Sequence, residues 1–230
     1  MKKGINKFSL VLAFSLGLIN NGFADKHGRS SAITVVQPSD SQFHHSYNET
    51  DGLKIRMENP NFTFYSMRSE DHESMKRLFL DPTIMKSFTY SQKADTAEEF
   101  ENRFNSWNEF ASKNPFGRYT VWSKSDEKFI GYVHMCLNNN NDIDFEYIVA
   151  PNFQGKGYGK KITQTVTTDL LKHLKETGYV KTFNVQKMTA HVKPDNAASK
   201  KLLEYSGFQR VARPANDSSP EDWLKFSRSI

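Results

Sequence analysis

The stretch that most constrains this chain is Tyr147-Ile148-Val149-Ala150-Pro151-Asn152-Phe153-Gln154-Gly155-Lys156-Gly157-Tyr158-Gly159-Lys160-Lys161. A strand ends in a loop with glycines at three alternate positions, and a helical pattern begins inside that loop. Main-chain N–H groups at such a helix start have no intrahelical carbonyl and point out together. With the helix dipole they form an anion site suited to phosphate or pyrophosphate. Glycine matters there because a Cβ would block close approach of phosphate oxygens. Lys156, Lys160 and Lys161 can add charge at the rim. The dinucleotide pattern G-x-G-x-x-G would need a glycine at residue 160, and no G-x-x-x-x-G-K-[ST] run exists. A purely structural turn is the competing reading of the loop.

Around this loop the order of elements predicts a mixed α+β layer fold. Phe62 to Arg68 alternates as a strand, and a helix capped by Ser69 or Asp71 runs to about Leu80, ended by Asp81-Pro82. Thr96 to Glu99 is a capping box opening a second helix through about Ser112. Its stripe of Phe100, Phe104, Trp107 and Phe110–Ala111 reads as core. Strands are expected at Arg118 to Lys124, Lys128 to Leu137 and Asp142 to Val149, with turns between them. A helix from about Gly157 to Thr177 buries Ile162, Val166, Leu170 and Leu174, and Gly178 stops it. Phe183 to Val192 follows as a strand, then a helix from Asn196 to Tyr205 and late strands at Phe208 to Ala212 and Trp223 to Ser229.

Gln154-Gly155-Lys156-Gly157-Tyr158-Gly159 resembles the Q/R-x-x-G-x-G/A acyl-CoA loop of the GCN5-related N-acetyltransferases, the GNAT family. Asn196-Ala197-Ala198-Ser199, followed by Gly207-Phe208, is similar to that family's N-x-x-S…G-F segment. Met67-Arg68-Ser69-Glu70-Asp71 and Asp81-Pro82-Thr83-Ile84-Met85 resemble the branch that acetylates N-terminal amines of ribosomal proteins. The likeness covers about residues 62 to 229. It implies a GNAT fold, a central mostly antiparallel sheet flanked by helices, with acetyl-CoA as co-substrate and no metal. Carried over residue by residue, it places the pyrophosphate on the amides of Gln154, Gly155, Lys156, Gly157, Tyr158 and Gly159, with Lys160 close by. It pairs the pantetheine arm with Ile148 and Val149. Asn196 matches the side chain that reaches the cofactor arm, with Ser199 nearby; by itself Asn196 also reads as a helix N-cap.

Attack on a thioester needs a neutral amine. At pH 7 a lysine side chain loses its proton at a cost of roughly 4 to 5 kcal/mol, an α-amino group at about 1. A carboxylate acting through a water suffices for an α-amine. Asp144 and Glu146 share one face of the strand leading into the loop, because strand residues two apart do. They are the candidate bases, with solvated face residues as the alternative. The resemblance implies a glutamate at Asp144 and a glycine at Glu146, so Glu146 either adds a second carboxylate or crowds the acceptor. It also implies a tyrosine acid seven residues after Asn196, where this chain has Leu203. Tyr205, on a helix, points about 200° away from that position. A Ser199 hydroxyl or a water is left to protonate the departing thiolate. Cys136 and His134 share a strand face with Ile130 and Tyr132, which packing explains as well as a covalent route does.

The rest of the chain bounds the partners. It has 230 residues and a net charge of +5, and Lys2, Lys3 and Lys7 fall in a segment with no acid. Without that segment 28 cationic residues face 26 acidic ones, too even a balance for nucleic acid. A single cysteine, Cys136, excludes an intrachain disulfide framework. Phe8 to Ile19 is an apolar run of about 12 residues after the basic start, with Gly22 and Ala24 before the expected cut. That is a secretory signal pattern over residues 1–24, predicting export, no stable membrane span after cleavage, and a cytoplasmic protein as the alternative. Residues 25–61 read as a polar linker or arm, with His27, His44 and His45 as solvated histidines. The 62–230 domain is then an acetyl-CoA-dependent N-acetyltransferase acting on an amine-bearing protein, peptide or small molecule. Its alternatives are a catalytically weak CoA-binding protein and an exported effector module that meets acetyl-CoA in another compartment.

Overall fold

Strand β3, Gly52–Glu58, alternates Leu53, Ile55 and Met57 inward with Lys54 and Arg56 outward, the period-2 pattern of a sheet with one buried face. It pairs antiparallel with β2, Gln42–Asn48. This hairpin corrects the expected linker over 25–61: the charged residues between its apolar positions disguise a strand. In the computed structural model, residues 33–36, 42–48, 52–86, 96–213 and 222–230 are described. The expected signal segment 1–24 and His27 lie outside them, as does the His45 side chain.

β1 (Ile33–Val36) pairs with β2, and β4 (Phe62–Ser66) continues the sheet beside β3. Phe43 stacks on His173 with ring centroids 4.0 Å apart. Gly52, at φ +71°, brings the hairpin onto the end of a helix, where an added Cβ would lie 2.4 Å from the Ser112 carbonyl oxygen. The hairpin is therefore part of the fold, with Phe43, Ile55 and Met57 buried in the same core as the glycine-loop helix.

β5 (Arg118–Ser123), β6 (Phe129–Leu137) and β7 (Ile143–Val149) follow in antiparallel order. β8 (Lys187–Val192) then runs parallel to β7, and β10 (Leu224–Ser229) joins β8 to β9 (Gln209–Val211). Among the described residues the ten strands form one sheet, mostly antiparallel. A register shift against β5 places Phe129 opposite Trp122, and Ile130 joins the core of Val133 and Met135 instead of the Tyr132 cluster.

Helices cover both faces. α1 (His72–Phe79), α2 (Pro82–Met85) and α3 (Ala97–Ala111) pack over one, their Met75, Phe79, Phe100, Phe104 and Trp107 clustering with Tyr132 and Ile148. Thr96 caps α3 by accepting the Glu99 N–H at 3.1 Å, as the capping box requires. On the other face α4 (Tyr158–Thr165) passes through a π-turn at Val166–Leu170 into α5 (Leu171–Glu176), burying Ile162, Val166, Leu170 and Leu174. Gly178, at φ +81°, ends it. A short α6 (Tyr179–Thr182) follows, the strand expected from Phe183 begins only at Lys187, and α7 (Ala197–Tyr205) follows β8.

Candidate active site

β7 and β8 meet at only two residue pairs, Ile143 with Met188 and Asp144 with Thr189. β7 pairs with β6 along its whole length. Beyond Asp144 the two parallel strands part, leaving a slot toward the glycine loop. Opposed residues of an antiparallel pair alternate between exchanging both hydrogen bonds and exchanging none. The Asn138 N–H to Asp142 carbonyl and Ala150 N–H to Ile130 carbonyl bonds, at 2.9 and 2.8 Å, fix that phase. Asp144, Glu146 and Ile148 therefore spend their main chain on β6. Phe145, Tyr147 and Val149 turn theirs to the slot. Of the two residues expected to pair with a pantetheine arm, Val149 faces the opening. Ile148 does not, and Tyr147 takes its place, because alternate strand residues direct their polar groups to opposite neighbours.

At the mouth of the slot the first main-chain bond of α4 runs from the Lys161 N–H to the Gly157 carbonyl, 3.3 Å. The N–H groups of residues 155–160 carry no carbonyl partner, and Gly155, Lys156, Gly157 and Lys160 are exposed. Gln154 departs from expectation. Its N–H is spent on the Pro151 carbonyl and its side-chain amide donates to the Val149 carbonyl at 2.8 Å, so it braces the turn. The three glycines also do different work. Gly155 and Gly157 adopt φ of +72° and +80° over open space, a conformation that side chains disfavour. Gly159 is a packing glycine, where a Cβ would lie 3.1 Å from Leu202 and 3.6 Å from Tyr147. The Lys156 ammonium donates to the Asn152 carbonyl, and that of Lys160 lies 3.7 Å over the Tyr205 ring.

Asn196 caps α7: its Oδ1 accepts the Ser199 N–H at 3.0 Å. Ser199 Oγ in turn meets the Tyr147 hydroxyl at 3.0 Å. Leu203 is buried in the core and Tyr205 is 58% exposed, so neither brings a hydroxyl to the slot.

The side chains of Asp144 and Glu146 share a face, as the spacing predicts, but their surroundings differ. Asp144 Oδ1 accepts from Asn138 at 3.2 Å and from the Thr189 hydroxyl. Glu146 Oε2 is buried without a hydrogen-bond partner, and Oε1 lies 3.9 Å from His134 Nδ1. Arg118, His134 and Glu146 stand opposite one another on three adjacent strands. His134 is 4% exposed and neither ring nitrogen makes a hydrogen bond. Burial, and then the Arg118 charge, holds its pKa below the usual imidazole value, so it stands neutral at pH 7. Burial also lowers Arg118, whose guanidinium stacks 4.2 Å over Trp107. Burial, reinforced by Glu146, pushes the Tyr132 phenol well up, and burial raises the Cys136 thiol. A protonated thiol is a poor nucleophile, so packing is the better account of Cys136.

Sequence reasoning did not find Arg118, Tyr132 or Tyr147. Arg118 and Tyr132 come from strands far in sequence from the loop, and only the register β5–β6–β7 aligns them with Glu146. For Tyr147 the signal was present, a tyrosine two residues from Val149 and hence on its face.

A parted parallel strand pair, a glycine loop of exposed amides at its mouth and a half-buried carboxylate beside it define an acyl-CoA transferase architecture. Residues 61–209 match the acetyltransferase (GNAT) domain family, and the chain belongs to that family of N-acetyltransferases. No curated protein matches it in sequence. Among solved structures it resembles spermidine N-acetyltransferase from Vibrio cholerae in complex with CoA and spermine, at 19% identity and TM-score 0.56, over 74% of this chain and 96% of that one. A ribosomal-protein-serine acetyltransferase-like protein from Vibrio cholerae matches at 16% identity and TM-score 0.55, over 76% and 97%. The microcin C7 self-immunity acetyltransferase in complex with acetyl-CoA and AMP matches at 18% and 0.56, over 75% and 94%. At these identities the likeness is one of fold.

Proposed function

We propose that this protein moves the acetyl group of acetyl-CoA to a primary amine by direct attack in a ternary complex. The observation that carries the reading is the slot between β7 and β8, which ends at the unpaired amides of residues 155–160. Those amides and the dipole of α4 would hold the pyrophosphate. The main chain of Tyr147 and Val149 would pair with the pantetheine arm, and Asn196 would fix the start of α7 beside it. Solved relatives of this fold carry CoA or acetyl-CoA, which supports the same assignment.

Glu146 is the base in this reading. Its unpartnered oxygen is free to accept a proton from a water on the incoming amine, whereas Asp144 is committed to Thr189 and Asn138. Neutral His134 and buried Arg118 keep a cationic counterweight behind it without adding a second charge at the imidazole. A single carboxylate is matched to an α-amino group, which ionises near neutrality. The acceptor class favoured is therefore a protein or peptide N-terminus. A small amine is the second class, supported by the relative that holds spermine. The basic-then-apolar pattern of residues 1–24 supports export of the protein. Mass determination of the mature N-terminus tests that, with cleavage after Ala24 expected and an intact Met1 end against it.

Calorimetry with acetyl-CoA, followed by release of free CoA thiol in the presence of a peptide and polyamine panel, tests the function. Binding and amine-dependent thiol release are expected. Wild-type protein inert to acetyl-CoA would remove the reading.

A further inference from the structure

Among the described residues two large apolar side chains stand open to solvent, Val211 and Tyr205, and Tyr205 is the more exposed. A ring left in water adds little to the core, and Leu203 already fills the core at this turn of α7. Its position is what distinguishes Tyr205. Leu202, the residue before Leu203, packs against Gly159, so α7 leans on the first turn of α4 beside the glycine loop. Lys160 then joins ring to loop. Its N–H is one of the unpaired loop amides, while its ammonium lies 3.7 Å over the Tyr205 ring, a cation–π contact that holds the ring plane. A lysine stem reaches about 6 Å, so the ring centre stands within about 10 Å of the Lys160 main chain. Lys201 is four residues before Tyr205, hence on the same side of α7, and is exposed as well.

We propose that Tyr205 is a stacking platform for the adenine of the acyl carrier, with Lys201 facing the ribose phosphate, so that this protein selects a nucleotide-bearing carrier over acyl-phosphopantetheine. The inference rests on a diphosphate occupying the loop amides. In acetyl-CoA a phosphorylated adenosine follows directly from that diphosphate. A planar base and an anion at that separation match an open aromatic ring with a lysine on the turn before it. Lys160 is a positioning residue: its ammonium covers one face of the ring and leaves the other for the base. The contact needs only a π-face, and the phenol hydroxyl has no part in it. That is why a tyrosine turned away from the slot still serves the cofactor, at its far end instead of at the thioester.

The test uses the full chain and three carriers in calorimetry: acetyl-CoA, its dephospho form lacking the ribose phosphate, and acetyl-phosphopantetheine, which has no base. Tyr205→Ala should weaken acetyl-CoA at least about fivefold, the low end for a stacked base. Acetyl-phosphopantetheine should stay within about twofold, and Tyr205→Phe, which keeps a ring, should bind like wild type. Lys201→Met should weaken acetyl-CoA by about two- to fivefold and spare the dephospho form. In turnover, KM for acetyl-CoA should rise in Tyr205→Ala while kcat holds, because the ring is remote from the thioester. The fluorescent etheno-adenine analogue of CoA should be quenched on wild type and on Tyr205→Phe and stay bright on Tyr205→Ala, a signature that a merely structural tyrosine would not produce. Wild-type affinity and quenching in Tyr205→Ala would overturn the platform alone, as would an equal loss for the carriers with and without a base. Equal losses on the phospho and dephospho forms in Lys201→Met would overturn the phosphate contact. Wild-type protein that binds none of the three carriers would overturn the cofactor reading and the platform with it.

Discussion

Two carboxylates sit among aromatic side chains on the same side of the sheet, and their surroundings are opposite. Asp71, fully buried at the start of α1, has every oxygen engaged. Arg68 donates to it twice, at 3.1 and 2.8 Å, Thr120 at 2.9 Å and the Trp122 indole at 3.1 Å. Arg68 in turn stacks 3.6 Å over Tyr65. Glu146, two strands away, keeps one oxygen buried and unpartnered. A buried charge is stable only when paired and hydrogen-bonded, so the first site holds the fold together, and the second is the one our proposal assigns to the chemistry. Saturation of hydrogen bonds, more than burial, separates a structural acid from a chemical one.

The largest expected effect breaks the structural member. Asp71→Ala strands Arg68 and the Trp122 and Thr120 donors, and should cost about 3–5 kcal/mol of stability in denaturant unfolding, while specific activity of the folded fraction is kept. Glu146→Gln should do the reverse. Turnover should fall roughly 10²-fold or more for loss of a general base, with a smaller loss of stability than Asp71→Ala because Glu146 is only half-buried. An Asp71 variant that folds normally but is inactive would dissolve the contrast. Gly157→Asp comes next: a carboxylate among the loop amides, forced to φ +80°, should weaken acetyl-CoA binding at least about tenfold in calorimetry. Asp144→Asn sharpens the comparison from within the site. Its bonds to Thr189 and Asn138 resemble the Asp71 pattern, and turnover should fall only a few-fold.

The smallest effect is one of pH. His173, packed against Phe43, is held by burial at a pKa of about 4. Its folded value lies below the unfolded 6.5, so its neutral form contributes stability in full above pH 6.5, and that contribution is lost as pH falls toward 4. His173→Gln should flatten the stability profile across that window and leave turnover at pH 7 unchanged. An identical acid limb in the variant would show that other groups set it.

The loop, its helix and both capped segments were legible because their signals are local. Gly155 and Gly157 supply a positive φ, Thr96 and Glu99 a cap, and Gly178 a stop. Each of these needs only near neighbours. The face shared by Asp144 and Glu146 follows from a two-residue period. The β2–β3 hairpin was missed although Leu53, Ile55 and Met57 carry the same period, because the charged residues between them make the segment polar as a whole without changing its buried face. The pairing of Glu146 with His134 and Arg118, and of Tyr147 with Ser199, was not legible. The partners lie 12, 28 and 52 positions apart and meet only through strand register and the seating of α7.

By itself the sequence determined the family, the glycine turn and the strand that carries the acids, since composition and spacing act over a few residues. The tertiary structure alone decided which carboxylate is left unsatisfied, which main-chain groups face the opening between β7 and β8, and which hydroxyls meet across it. Those depend on long-range pairing, where a shift of one residue would turn every side chain of the strand to the opposite face.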